Sequence, residues 1–232
     1  MLETLPRSNA ISDLVGTTGN TGEGLLRASL QLFSSKGFNA TSVRDIAQTL
    51  GTSVAAIYYH AASKEAILTQ LMRLDLEWLI SRAISMLDTA KDPAEQIVAL
   101  VTTHIVRDEE GLRLLVLSDS ELRSIPPDTS EEIVALRSRY EMMWRDSIRA
   151  GITQGYFLID DPKLAAFALL DMCNGVARWY SPKGELTLEE VAARFAKFAL
   201  ELLSVQEAPQ VGSSATSNRN QRLPSQPKNA IS

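Results

Sequence analysis

Thr41, Arg44, Tyr58, Tyr59, His60 and Lys64 gather hydroxyls, a guanidinium, an imidazole and an ammonium into one stretch, Thr41–Leu68. These are donors suited to phosphate oxygens and to the edges of bases. Val54, Ala55 and Ala56 lie among them and donate nothing, but offer apolar surface that fits a thymine methyl. Three serines divide the stretch into helices. Ser42 precedes Val43, Ile46, Ala47 and Leu50 at helical spacing, with Asp45 placed to complete a capping box. Gly51 suits a left-handed stop, Ser53 opens a second short helix through Val54, Ile57 and Tyr58, and Ser63 opens a third at Lys64. Two short helices joined by a glycine turn form a helix-turn-helix, whose second helix enters the DNA major groove. Ile46, Leu50 and Ile57 are its core, and the serines are caps first and phosphate ligands second.

The order G-T-S-x-x-x-I-Y-Y-H-x-x-S-K-E-x-L, within residues 25 to about 70, resembles the signature of TetR-family transcriptional regulators. Two positions depart from it: Ala55, where the family often has Gly, and Ala61, where it often has an aromatic that braces the recognition helix. The resemblance implies that Arg44 reaches a base edge, where its fork fits guanine O6 and N7. It implies that Tyr58 packs against bases or backbone, and that Tyr59, His60 and Lys64 contact phosphate. The Thr41 hydroxyl suits a phosphate as well.

A net charge of −5 argues at first against a nucleic-acid partner. Its distribution removes the objection. Residues 1–66 hold five basic and five acidic side chains, the segment from Gln206 carries a small positive excess, and the remaining seven negative charges fall on 67–205. A neutral reading domain implies modest affinity per protomer and a need for dimerisation. No apolar run reaches the roughly 18–20 residues of a membrane span. The N-terminus shows no signal-peptide pattern, and a lone Cys173 suits a reducing compartment, so the expected location is cytoplasmic. Two histidines and one cysteine are too few for a His/Cys metal site, and no cofactor is expected. GxSxG, GxGxxG, P-loop and HExxH are all missing from the sequence, and Asp160-Asp161 reads as a solvated turn, so an enzyme is not expected.

The expected fold is all-α. A flexible arm (1–22) leads to a three-helix reading domain (23–70). A long helix, Lys64 to about Asp88, joins it to a larger helical ligand-binding and dimerisation domain (71–204), and a disordered tail follows (205–232). In the larger domain Pro93 opens a helix, a short helix spans about Glu109 to Asp119, and Pro126-Pro127 forms a break. Helices follow at Glu131–Gln154, Pro162–Trp179 and Leu188–Leu203. The last two are expected to pair with their copies in a homodimer. Val191, Phe195, Phe198 and Leu202 provide the stripe, with Ala165, Ala166, Ala168, Ala192, Ala193 and Ala196 allowing close approach. The helix from Lys64 is expected to be the only link between reading domain and body, with Leu74, Trp78 and Leu79 packing toward the body.

An all-helical body of this size, rich in aromatic residues, can hold a small-molecule effector between its helices. Trp78, His104, Tyr140, Trp144, Asn174 and Arg178 are the candidate contacts, weighed against the blander reading in which such residues fill the core. Asn174 to Leu203 bears the pattern WYxPxGxLTxEE and is similar to the C-terminal helices of TetR-type regulators of lipid and steroid catabolism, some of which respond to acyl-CoA thioesters. Within it Pro182 and Gly184 suit a turn, Thr187 a cap, and Glu190 a capping box. The expected function is therefore a repressor that binds a palindromic double-stranded DNA operator and is released by a small, largely apolar effector. The alternative is a helical interaction or storage protein without operator binding, which would lack salt-dependent duplex affinity.

Overall fold

The computed structural model of the chain describes residues 20–125 and 127–203. The expected arm up to residue 19 and the tail from 204 lie outside the described residues. Nine α-helices make up the described chain: α1 (Asn20–Lys36), α2 (Val43–Thr49), α3 (Val54–His60), α4 (Lys64–Leu87), α5 (Pro93–Ile105), α6 (Glu109–Ser120), α7 (Pro127–Thr153), α8 (Pro162–Trp179) and α9 (Leu188–Leu203).

Local chemistry sets most of these boundaries. Ser42 and Asp45 form the reciprocal capping box of α2: Asp45 N–H donates to Ser42 Oγ at 3.2 Å, and Ser42 N–H donates to Asp45 Oδ2 at 2.7 Å. The Ser42 backbone N–H, and after it the Lys36 ammonium 2.9 Å away, hold the Asp45 carboxyl far below the usual carboxylate range. Ser53 and Ser63 accept from Ala56 N–H and Ala66 N–H and so cap α3 and α4. Thr187 and Glu190 close a second capping box before α9. Each such cap contributes about 1 kcal/mol. Gly51 turns the chain between α2 and α3 at a φ of 64°, a conformation that a Cβ disfavours.

One boundary differs from the sequence expectation. Helix α7 begins at Pro127, a turn before Glu131. A proline at the first helical position lacks only an N–H that would have had no intrahelical acceptor, and its φ already suits a helix. Pro127 therefore opens α7.

Helices α1 to α3 and the start of α4 share a core of Leu26, Leu30, Phe33, Ile46, Ile57 and Ile67. The body packs α4 against α5, α6 and α7, α8 against α5, α6 and α7, and α9 mainly against α5. Trp144, Leu100, Ile97 and Leu71 are fully buried there, each stabilising the fold by about 1.5–3 kcal/mol. Cys173 is also fully enclosed, and burial pushes its thiol pKa upward. At the end of α7 the Phe157 ring covers Gly151, where a Cβ would fall 2.0 Å from a ring carbon. Among the described residues no helix is long and apolar enough to cross a membrane.

Candidate nucleic-acid interface and interior cavity

The two short helices present a compact reading surface. Ile57 and Ala61 turn inward, while Ala55, Tyr58, Tyr59 and His60 are exposed, and Val54 and Ala56 are half-buried. Tyr59 is 87 % exposed and its ring meets His60 edge-on at 5.2 Å. Arg44 is exposed on α2 with no partner among the described residues, so its guanidinium is available to a base edge. Gln48, one helical turn on from Arg44, is exposed as well and extends the same face. It is not among the residues expected from the sequence. Ser53 keeps its capping role at the N-terminus of α3.

Two expected phosphate contacts take different roles. Thr41 is buried, and its hydroxyl donates to Gly37 C=O at 2.8 Å, so it is not offered to a phosphate. The Lys64 ammonium turns inward and donates to Phe38 C=O at 2.8 Å and to Thr41 C=O at 3.0 Å, above the Phe38 ring. Lys64 thus clamps the α1–α2 loop. The Phe38 carbonyl, which also accepts the Thr41 N–H, and the Thr41 carbonyl face the start of α4, where one ammonium donates to both. Ala61, where the resemblance leads one to expect an aromatic, is buried at the end of α3.

In the body, a cavity of about 350 Å³ lies between α4, α5, α6, α7 and α8. Its apolar wall includes Met72, Leu76, Leu79, Ile133, Phe167 and Leu170. Three expected contacts meet in it: His104, Tyr140 and Asn174. His104 Nδ1 lies 3.2 Å from Tyr140 Oη and Nε2 lies 2.9 Å from Asn174 Oδ1. Burial, helped by the nearby Arg107 charge and opposed by the Asn174 bond, lowers the His104 pKa to about 3. Its imidazole is therefore neutral near pH 7, with one donor and one acceptor nitrogen. Burial likewise pushes the Tyr140 phenol well above its usual value.

Three other expected contacts lie elsewhere. Trp144 is fully buried behind this cluster, 6.3 Å edge-on from both rings, and packs the core. Trp78 is buried beside the Arg82 and Arg107 guanidinium groups, outside the cavity wall. Arg178 is exposed and pairs with Asp119 at 2.8 Å, bridging α8 to α6.

Comparison with known proteins supports the same organisation. Residues 25–71 match the family described as bacterial regulatory proteins, tetR family, and residues 90–203 match the tetracyclin repressor-like, C-terminal domain. The HTH-type transcriptional repressor KstR2 of Mycolicibacterium smegmatis is 30% identical over 178 residues, which cover 76% of this chain and 87% of that protein. This chain belongs to the TetR family of transcriptional regulators. Among solved structures, the TetR-family regulator PfmR from Thermus thermophilus aligns with a TM-score of 0.71 at 36% identity, over 76% of this chain and 97% of that one. The ketosteroid transcriptional regulator KstR2 of Mycobacterium tuberculosis aligns with a TM-score of 0.75 at 28% identity, over 83% and 100%. The TetR family and these relatives are regulators rather than enzymes.

Three features of this TetR-family chain are not expected from its sequence. Asp75, on the inner side of α4, lines the cavity and forms a buried ion pair with Arg107. Ser118 Oγ approaches the other Asp75 oxygen at 3.5 Å. An acidic residue inside the stripe Leu68, Leu71, Met72, Leu76, Leu79 was the available signal. Finally, α4 is not the only link between head and body: α1 packs on α6, where Arg27 Nε lies 3.3 Å from a Glu110 carboxylate oxygen.

Proposed function

We propose that this TetR-family chain is a ligand-responsive repressor that binds a palindromic operator as a homodimer and is released by a small, largely apolar effector, an acyl thioester among the candidates. One observation carries the reading: the same helix, α4, contributes Lys64 to the reading head and Met72, Asp75, Leu76 and Leu79 to the cavity wall. A ligand that favours a different tilt of α4 weakens operator affinity by the factor by which the operator weakens its own binding. The α1–α6 contact gives α6, which also lines the cavity, a second hold on the head.

Dimerisation is supported by apolar side chains left open on the last two helices. Leu164, Phe167 and Trp179 on α8 and Phe198 and Leu202 on α9 are exposed, and the Trp179, Phe195 and Phe198 rings run together at about 6 Å spacings. Val191, Ala165, Ala166, Ala192 and Ala196 are buried within the protomer instead. Phe198 and Leu202 lie on the same side of α9 as Val191, about two and three turns further on, where the protomer no longer covers that side. Two-fold pairing presents two reading heads to two half-sites, which calls for a palindrome.

The test is fluorescence anisotropy on a duplex selected from a random library, with and without hexanoyl-CoA. Couplings of this kind are typically about 1–3 kcal/mol, so operator affinity should fall between about 5- and 150-fold. Saturation of the cavity without any change in operator affinity refutes effector-driven release.

A further inference from the structure

The hydrogen bonds around His104 leave one polar group without a partner at the cavity wall. A neutral imidazole donates from one nitrogen and accepts at the other. With Asn174 Oδ1 at 2.9 Å, Nε2–H is the donor, and Nδ1 accepts the Tyr140 O–H at 3.2 Å. The opposite arrangement, with the Asn174 amide reversed and Nδ1–H donating to Tyr140, leaves the phenol proton without an acceptor among the described residues. The first arrangement pairs both imidazole nitrogens and gives the phenol proton an acceptor.

In the favoured arrangement every group of the Tyr140–His104–Asn174 chain is used except the Asn174 amide N–H₂. It has no partner among the described residues and belongs to a side chain that lines the cavity. The rest of the wall is largely apolar. Asp75 is an acceptor already engaged by Arg107, and Ser118, Arg137, Ser138 and Asp171 are further polar side chains on the wall. At the rim Asp119 and Glu141 are paired with Arg178 and Arg145.

We infer that the cavity selects effectors carrying an uncharged carbonyl oxygen on an apolar body, with Asn174 as the residue that reads the carbonyl. The inference rests on the reading of this cavity as the effector site. It separates carbonyl compounds from hydrocarbons of the same shape. The same carbonyl can belong to a thioester or to a ketone.

The experiment uses matched probes and calorimetric titration of the full-length protein. Hexanoyl-CoA is compared with S-hexyl-CoA, a thioether lacking the carbonyl oxygen, and 2-decalone with decalin. In the wild type the carbonyl compound of at least one pair should bind about tenfold more tightly than its partner, as expected for one well-formed hydrogen bond. The pair that responds identifies thioester or ketone as the source. Asn174→Leu should reduce that preference to within about twofold while the hydrocarbon or thioether still binds. Asn174→Asp, which keeps the acceptor for His104 Nε2–H and removes the amide donor, should lose the preference too. It guards against a packing effect of leucine, and thermal melts establish that both variants fold. Equal binding of carbonyl and non-carbonyl probes to the wild type, or a preference that survives both substitutions, overturns the role of Asn174 and leaves the cavity as an effector site. Failure of all four probes to bind the wild type overturns the cavity reading itself, and this inference with it.

Discussion

Asp75 on α4 and Arg107, just past α5, form an ion pair whose side chains are only 2% and 0% exposed. Arg107 also donates from Nε to the His104 carbonyl at 2.9 Å and lies 5.3 Å over the Trp78 ring. One guanidinium thus holds the middle of α4 against the end of α5. Breaking such a pair strands a buried charge. Asp75→Asn should therefore cost about 3–5 kcal/mol in urea unfolding, whereas the paired replacement Asp75→Leu with Arg107→Met should recover most of the loss. If the double variant is no more stable than the single one, the penalty does not come from the stranded charge.

His104 makes stability depend on pH. Its folded-state pKa of about 3 lies below the ordinary value of 6.5, so the unfolded chain binds a proton that the folded chain refuses. The contribution is therefore complete above about pH 6.5 and is lost as the pH falls from there toward 3. At pH 5 the loss should be about 2 kcal/mol relative to pH 7. Urea midpoints at the two pH values measure it, and His104→Gln, which retains hydrogen-bonding capacity, should show a smaller difference.

The reading head separates support from recognition. Lys64→Met removes the clamp on the Phe38 and Thr41 carbonyls. It should lower the thermal stability of the head and weaken every duplex, with the salt dependence of binding nearly unchanged. Tyr59→Phe should weaken specific and random duplexes alike. Arg44→Ala should relax preference at one base pair per half-site, at a cost of about 1–3 kcal/mol. Site selection with that variant is the check, and an unchanged consensus would remove Arg44 from the set of base contacts.

The α8–α9 face should govern assembly. Phe198 is 51% exposed in the protomer, so Phe198→Glu should leave the fold intact. It should shift light scattering at micromolar protein from dimer to monomer and reduce operator affinity. A monomeric wild type would remove the basis for a two-fold operator.

What was legible in the sequence was local. Ser42, Ser53, Ser63 and Thr187 could be read as caps because a cap and the backbone N–H that donates to it lie within three residues. Helical periodicity gave every helix type, and Pro127 moved one boundary because proline serves equally well as a breaker and as a first residue. Longer-range features were not legible. Lys64 and Phe38 are 26 residues apart, and Asp75 and Arg107 are 32 apart. No pattern within one helix announces such partners. Val191 and Phe198 do share one side of α9, but the protomer buries that side at Val191 and leaves it open at Phe198, a difference in burial along the helix that periodicity does not register. The His104–Tyr140–Asn174 cluster was within reach because each member interrupts an apolar face. Trp144, expected as a contact, fills space behind it.

The enclosed thiol of Cys173 makes the folded body slow to react with alkylating reagents, because both burial and a raised pKa withhold the thiolate. It is the only cysteine in the chain. A reagent reaches it only when α8 lifts away from α5 and α7, so the rate of labelling is a clock for that opening. A molecule lodged in the cavity that α8 helps to wall should make the clock run slower, and a mass spectrometer can read it without any DNA present.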